Sequence, residues 1–412
     1  TTTVSEATEQ NPPVAVDDEF GARAGSPAPL PVLLNDYDPN KSDILSIVPE
    51  SLKDNPLPDD FGEVRLLPDS QSLVIHPTEE ATGSASFTYQ ITDGVNTSEP
   101  ATVTVTIYPE DVNTAPQWCP VDGCTQEWGV PAIVPGGTLN YPIVEGWVDP
   151  EGDPLALADV TVMAEEDSTQ AVVTSDGHLA VKHTDHEAAD QDIPLELTVR
   201  DAHGEETTQE LMVPIRQDAQ PQFIPSASTV TINHTTTLRP LTRIAGGSGS
   251  FELVDASIHT GEDKVDIATR TANGEVSLTP SKAGTFTISL TMRDAITEEE
   301  IHGFTRINAI KDDPPLNLPP LRGFIRPLSD ATLEILDSIP SADAREVSLH
   351  DAQAIEGSLD IQMIDHARIR VSGSTPDGGP GVVGTAKITL TDGTHESSTH
   401  LTVFQLPESE DT

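Results

Sequence analysis

The residues of this chain whose types and spacing could do chemistry are carboxylates. Asp36 and Asp38 lie two apart with Asp43 beyond them, and Asp149, Glu151 and Asp153 alternate along Val148-Asp149-Pro150-Glu151-Gly152-Asp153-Pro154-Leu155. Each set has an acid further along the chain, Asp93 for the first and Asp201 for the second, and Asp111 and Asn113 precede the second. Oxygen ligands converging on one point are what Ca2+ requires, about six to eight of them, while carboxylates gathered without a cation repel. The competing role for each Asp or Asn is to close a turn by accepting backbone N–H groups.

Other candidates carry less. Cys119 and Cys124 enclose Pro120-Val121-Asp122-Gly123, and Asp-Gly is a turn former that can bring two thiols within bridging distance. A disulfide there implies an oxidising compartment; the alternative is two unrelated thiols. Trp118 and Trp128 flank this loop, and Trp147 is the third tryptophan. They read either as packing residues or, for Trp118 and Trp128, as a recognition patch for a sugar or protein. His183-Thr184-Asp185-His186-Glu187 offers two histidines without the helix that H-E-x-x-H zinc sites use, and reads as a solvated loop. Gly246-Gly247-Ser248-Gly249 lacks the basic residue of a phosphate loop, and no G-x-S-x-G elbow occurs. With only seven lysines, internal Lys–Asn cross-links are confined to one or two units at most. The expectation is a protein that is not an enzyme.

The 412 residues carry 68 Asp+Glu against 21 Lys+Arg, a formal charge of −47. A chain of this sign is repelled by polyanions, which excludes nucleic acid and anionic membrane surfaces as partners. No apolar run approaches the roughly 18–20 residues of a membrane span. Apolar residues make up 36% of the chain and fall in alternating patterns, so the chain is expected to fold. Its opening, TTTVSEATEQ, reads as a mature product or an excised piece of something larger.

The elements that must position the acids come from a repeat. An alternating segment ending in Asp recurs as Phe87–Gly94, Leu195–Ala202, Phe286–Ala295 and Ala386–Gly393, with the aspartates at 93, 201, 294 and 392. Each is followed by a polar turn and a second alternating run, which makes a hairpin. Proline-bearing junctions follow the first three hairpins: Pro109 to Pro116, Asp218-Ala219-Gln220-Pro221 and Asp312-Asp313-Pro314-Pro315. Such joints are stiffer than Gly/Ser linkers. The expected fold is all-β: four tandem immunoglobulin-like antiparallel β-sandwiches in an elongated array. The units span 11–110, 111–217, 218–311 and 312–407, with tails at 1–10 and 408–412.

Unit one carries a family resemblance. Pro13-Val14-Ala15-Val16-Asp17-Asp18, Val32-Leu33-Leu34-Asn35-Asp36-Tyr37-Asp38-Pro39 and Phe87-Thr88-Tyr89-Gln90-Ile91-Thr92-Asp93-Gly94 resemble the bacterial Ig-like and cadherin-like repeats of surface proteins. Unit two keeps the acidic signature quoted above. Unit three, with its glycines at 246–249, is similar to a different Ig-like subfamily, and unit four matches through its hairpin alone. Arrays of this kind resemble the extracellular, envelope-associated regions of large actinobacterial and other bacterial proteins, which implies a stalk or adhesin.

In an Ig-like sandwich the B–C and F–G loops emerge at one pole. That gathers Asp36, Asp38 and Asp43 with Asp93 in unit one, and Asp149, Glu151 and Asp153 with Asp201 in unit two, beside Asp111 and Asn113. Cadherin-like repeats are stiffened by calcium at such joints, so the resemblance implies Ca2+ at the poles of units one and two. Asn40-Lys41-Ser42-Asp43 departs from the family's usual acidic loop.

Charge separates the units. Residues 11–108 hold 16 acids and 4 bases, 113–217 hold 20 and 3, 218–311 hold 11 and 8, and 312–412 hold 17 and 6. Unit three, nearly neutral and carrying Arg239, Arg243, Arg270, Arg293 and Arg306, is the expected contact for another acidic surface. The functional expectation is a non-enzymatic extracellular stalk or adhesive segment with a protein or glycan partner. The alternative is a carbohydrate- or protein-binding module centred on unit two.

Overall fold

Alternation decides which residues pair and which face they bury. In strand Ala101–Ile107 the apolar positions Val103 and Val105 are fully buried while the intervening threonines are half-buried. Strands Gln191–Asp201 and Gly284–Asp294 repeat the pattern, and β-branched residues suit such half-buried pleats. The computed structural model describes residues 10–40, 44–164, 168–260, 265–270, 273–312, 315–339 and 347–408. No helix among them is long and apolar enough to cross a membrane.

The first stretch pairs Asp18–Ala22, Ala101–Ile107 and Gly83–Tyr89 in one sheet and Ala28–Leu30, Leu73–Pro77 and Gly62–Leu66 in another. Phe20, Phe87 and Val103 from the first sheet and Leu30, Leu73 and Ile75 from the second share one buried cluster, so the sheets pack face to face. The same two-sheet plan recurs in 111–217, 218–311 and 312–407, each with its own apolar cluster. All four expected hairpins form. They run through Gly83–Tyr89 and Ala101–Ile107, Gln191–Asp201 and Glu206–Ile215, Gly284–Asp294 and Glu300–Ile310, and Gly381–Thr391 and Glu396–Gln405.

Two expectations are corrected. The sandwiches are not wholly antiparallel, because the opening strands Asp18–Ala22, Ser226–Thr231 and Leu321–Ile325 lie parallel to the closing strands of their own units. A chain that enters a sandwich at one pole and leaves by the other runs its first and last strands in the same direction.

The elongated array is also not what forms. Unit three lies against unit one, where the Thr229 amide donates to the Pro68 carbonyl at 2.7 Å and Arg306 donates to the carbonyls of Thr92 and Asp93. Unit four reaches back to units one and two: Asn317 donates to the Leu66 carbonyl at 2.8 Å, and Arg326 to the Val173 carbonyl at 2.9 Å. Phe324 and Phe404 join the apolar cluster of unit two. Proline fixes local direction at each joint but does not prevent a turn between units, and arginine and apolar contacts then hold the units together. In solution, small-angle scattering should return a radius of gyration near the roughly 22 Å of a compact chain of this length. Four sandwiches in line, each roughly 35 Å long from strands of eleven residues, give about 40 Å, and that value would contradict the packing.

Candidate functional site: the acidic poles and the first joint

At unit two the expected gathering takes place. Asp149, Glu151, Asp153 and Asp201 are all buried at one pole, beside the linker residue Asn113. What they bind is the chain itself. Glu151 accepts from the Thr114 amide and hydroxyl, both at 2.9 Å. Asp201 Oδ1 accepts the amides of His203, Gly204 and Glu205, and Oδ2 accepts Asn113 Nδ2 at 3.1 Å. Asp149 Oδ1 accepts the amides of Glu151 and Asp153, and Oδ2 has no partner. Burial, with Asp153 and Asp201 adding to it, raises the Asp149 carboxyl to about 7 against its two amide donors. Asp111 is exposed on the turn of the linker.

Asp153 takes the one full positive charge. Arg23 of unit one donates to its two oxygens at 2.8 and 2.6 Å, and both residues are almost fully buried. The same guanidinium donates to the carbonyls of Pro109 at 2.6 Å and Val112 at 2.9 Å. His203 lies 2.9 Å from Asp153 and 3.2 Å from Glu110. Close backbone approach makes this reach possible. A Cβ on Gly21 would stand 1.9 Å from the Pro150 carbonyl oxygen, and one on Gly152, at φ +80°, would stand 2.4 Å from the Gly21 oxygen.

The cysteines form the expected disulfide, Cys119–Cys124. Their loop docks on unit one: the Thr125 amide donates to the Leu34 carbonyl at 2.8 Å, and Asn35 donates to the Asp122 carbonyl at 3.2 Å. Trp118, Trp128 and Trp147 pack edge to face, with ring centroids 4.9–6.2 Å apart. Trp128 donates its indole N–H to the Glu210 carbonyl at 2.8 Å, and Trp118 pairs with Trp147 across a two-residue ladder. Packing is thus the main work of Trp118 and Trp128, each left half-buried.

In unit one the acids divide. Asp38 Oδ1 accepts the Asn40 amide, Asp93 Oδ1 accepts the amides of Val95 and Asn96, and Arg306 stands beside them. Asp43 lies outside the described residues. Asp36 turns inward to Asp18 and Tyr89. The Tyr89 hydroxyl lies 3.0 and 3.1 Å from the two Asp36 oxygens and 3.4 Å from Asp18 Oδ2. Burial raises both carboxyls to about 7, with Asp36 adding to the effect on Asp18, and the Tyr89 phenol is raised as well.

In this arrangement the donors are turned to the chain itself and not to a shared point for a metal ion. Among the described residues no group of three or more His, Cys, Asp or Glu side chains is arranged to hold one. Asp149 Oδ2 and Asp38 Oδ2 are the unpartnered carboxylate oxygens at the two poles. The other buried ones accept amides, hydroxyls or arginine. All four hairpin aspartates, Asp93, Asp201, Asp294 and Asp392, accept the amides two and three residues on, so they close turns.

Sequence reasoning missed Arg23, Asp18, Tyr89 and His203. Arg23 is the only basic residue between positions 11 and 40, which is a readable signal. His183, expected in a solvated loop, ends strand Leu179–His183 fully buried, its ring accepting the Gly136 amide.

The raised carboxyls have a measurable sign. A folded-state pKa of about 7 against roughly 4 unfolded means that Asp36 favours folding below about pH 4, and that this contribution fades as pH rises through 7. His76, lowered to about 4 by burial, acts oppositely over part of this range, so the comparison should be between variants. Relative to the wild type, Asp36→Asn should gain stability between pH 4 and 7 at up to about 1.4 kcal/mol per pH unit in chemical denaturation. A pH-independent difference would refute the buried acid.

Residues 10–106 match the model of the bacterial Ig domain family. No curated protein matches the chain. Among solved structures, Drosophila N-cadherin EC1-4 is similar at 13% identity over 95% of this chain and 98% of that one, with a TM-score of 0.26. The cadherin-like domains 1 to 4 of zebrafish RET are similar at 10% identity over 95% and 99%, with a TM-score of 0.20. An endo-fucoidan hydrolase of glycoside hydrolase family 107 is similar at 16% identity over 72% of this chain and 44% of that one, with a TM-score of 0.20, so the chain spans less than half its length. Similarity at this level says nothing of function. Residues 10–106 are thus similar to a bacterial Ig domain, and the chain is all-β, with tandem Ig-like β-sandwich repeats.

Proposed function

We propose that this chain is a non-enzymatic extracellular segment of a bacterial surface protein, serving as a spacer or interaction region in which the first two units act as one block. The observation that carries this reading is the first joint, closed by Arg23 on Asp153 and by the disulfide-bonded loop seated on Leu34 and Asn35. A spacer must hold orientation between what it connects, and a buried, hydrogen-bonded joint resists bending as a flexible linker does not. The disulfide suits an oxidising exterior, and the acidic surface keeps the segment soluble.

The second reading, a sugar- or protein-binding module on unit two, has less to stand on. Trp118 and Trp128 spend their faces on each other and on Trp147, and the loop between the cysteines is engaged with unit one. A glycan array with the full chain separates the readings. The spacer leaves the array at background. Binding that disappears in Trp118→Ala or Trp128→Ala would replace it with the recognition module.

A further inference from the structure

Five oxygens converge on one guanidinium at the first joint. They are Asp153 Oδ1 at 2.8 Å, Asp153 Oδ2 at 2.6 Å, the carbonyl oxygens of Pro109 at 2.6 Å and Val112 at 2.9 Å, and Asn113 Oδ1 at 3.5 Å. A carboxylate engaged through both oxygens, two main-chain carbonyls and a side-chain amide oxygen are donor types that a calcium shell uses. They come from the linker and the pole of unit two, and Arg23 comes from unit one. We propose that Arg23 is a built-in replacement for a divalent cation, so that the first joint closes without metal.

The chemistry of each group agrees. A guanidinium keeps its charge at any physiological pH and presents five N–H donors in a plane, matching a carboxylate in a fork and leaving donors for carbonyls. Arg23 is 3% exposed and Asp153 6%, so this charge pair lies out of water where losing either partner is costly. Glu151 and Asp201 are met by neutral donors from Thr114, Asn113 and the turn amides, which leaves Asp153 as the group that draws a full positive charge. Gly21 and Gly152 bring the two units close enough for Arg23 to reach. A joint of this kind keeps its geometry wherever free calcium rises and falls.

The test uses the full chain, stripped with EDTA and titrated with calcium chloride in a calorimeter at fixed ionic strength. The wild type and Asp153→Asn should give the same isotherm, because Asp153 is occupied. Arg23→Met should gain one site per chain, and saturating calcium should raise its unfolding midpoint by roughly 5 °C while leaving the wild type unmoved. The double variant Arg23→Met/Asp153→Asn should lose both effects. A site present in the wild type and removed by Asp153→Asn would overturn the proposal, because calcium would then hold Asp153 in the presence of Arg23. A folded Arg23→Met that gains no site would overturn it as well. Should Arg23→Met fail to fold alone, recovery of its circular dichroism on adding calcium supports the replacement. If neither Arg23→Met nor Arg23→Gln folds with calcium, the cation cannot stand in for the guanidinium and the proposal fails.

Discussion

The contact of Arg23 with Asp153 is the interaction on which the placement of the first two units depends. A carboxylate removed from water costs several kcal/mol unless a partner compensates it, and Asp153 has that partner on the other side of a domain boundary. The compensation therefore acts only when unit one and unit two are docked. Loop and backbone details serve that contact: Gly21 and Gly152 permit the approach, the linker carbonyls of Pro109 and Val112 fill the remaining donors, and the disulfide-bonded loop grips unit one through Leu34 and Asn35.

The same constraint is answered differently elsewhere. At the pole of unit one, Arg306 arrives from unit three and donates to main-chain carbonyls at Thr92 and Asp93. Inside unit one no arginine among the described residues reaches Asp18 and Asp36, and burial there favours the protonated acid beside the Tyr89 hydroxyl. Where an aspartate lies on a hairpin, backbone amides suffice, and the Asp392 carboxyl, which burial alone would raise, falls to about 2 through the amides of His395 and Thr394 and the His395 ring. A formal charge of −47 thus coexists with packed cores because the buried acids are met in different ways: by arginine at Asp153, by main-chain amides on the hairpins, and by a burial that favours the protonated form at Asp18, Asp36 and Asp149.

Much of the fold was legible because it rests on local rules. Alternation marked the hairpins, the aspartate spacing marked the repeat, and Asp-Gly within Cys119–Cys124 marked the bridge. The gathering of Asp149, Glu151, Asp153 and Asp201 followed from sandwich geometry. Its consequence did not, because carboxylates attract calcium and arginine alike, and the deciding group, Arg23, is 130 residues from Asp153. Asp36 was misplaced because two acids separated by one residue in an extended chain share a side, whereas here Asp36 turns inward to Tyr89 and Asp38 stays by the pole, where its carboxylate accepts the Asn40 amide. The contacts between units one and three depend on surfaces that no periodicity describes, although the arginine excess of unit three pointed to them.

A crystal structure of the full chain grown in millimolar calcium tests the central claim most directly. The account predicts the Arg23 guanidinium in contact with both Asp153 oxygens and no metal density between units one and two. A calcium ion bound to Asp153 and the Asn113 side chain, with Arg23 turned away into solvent, would contradict it.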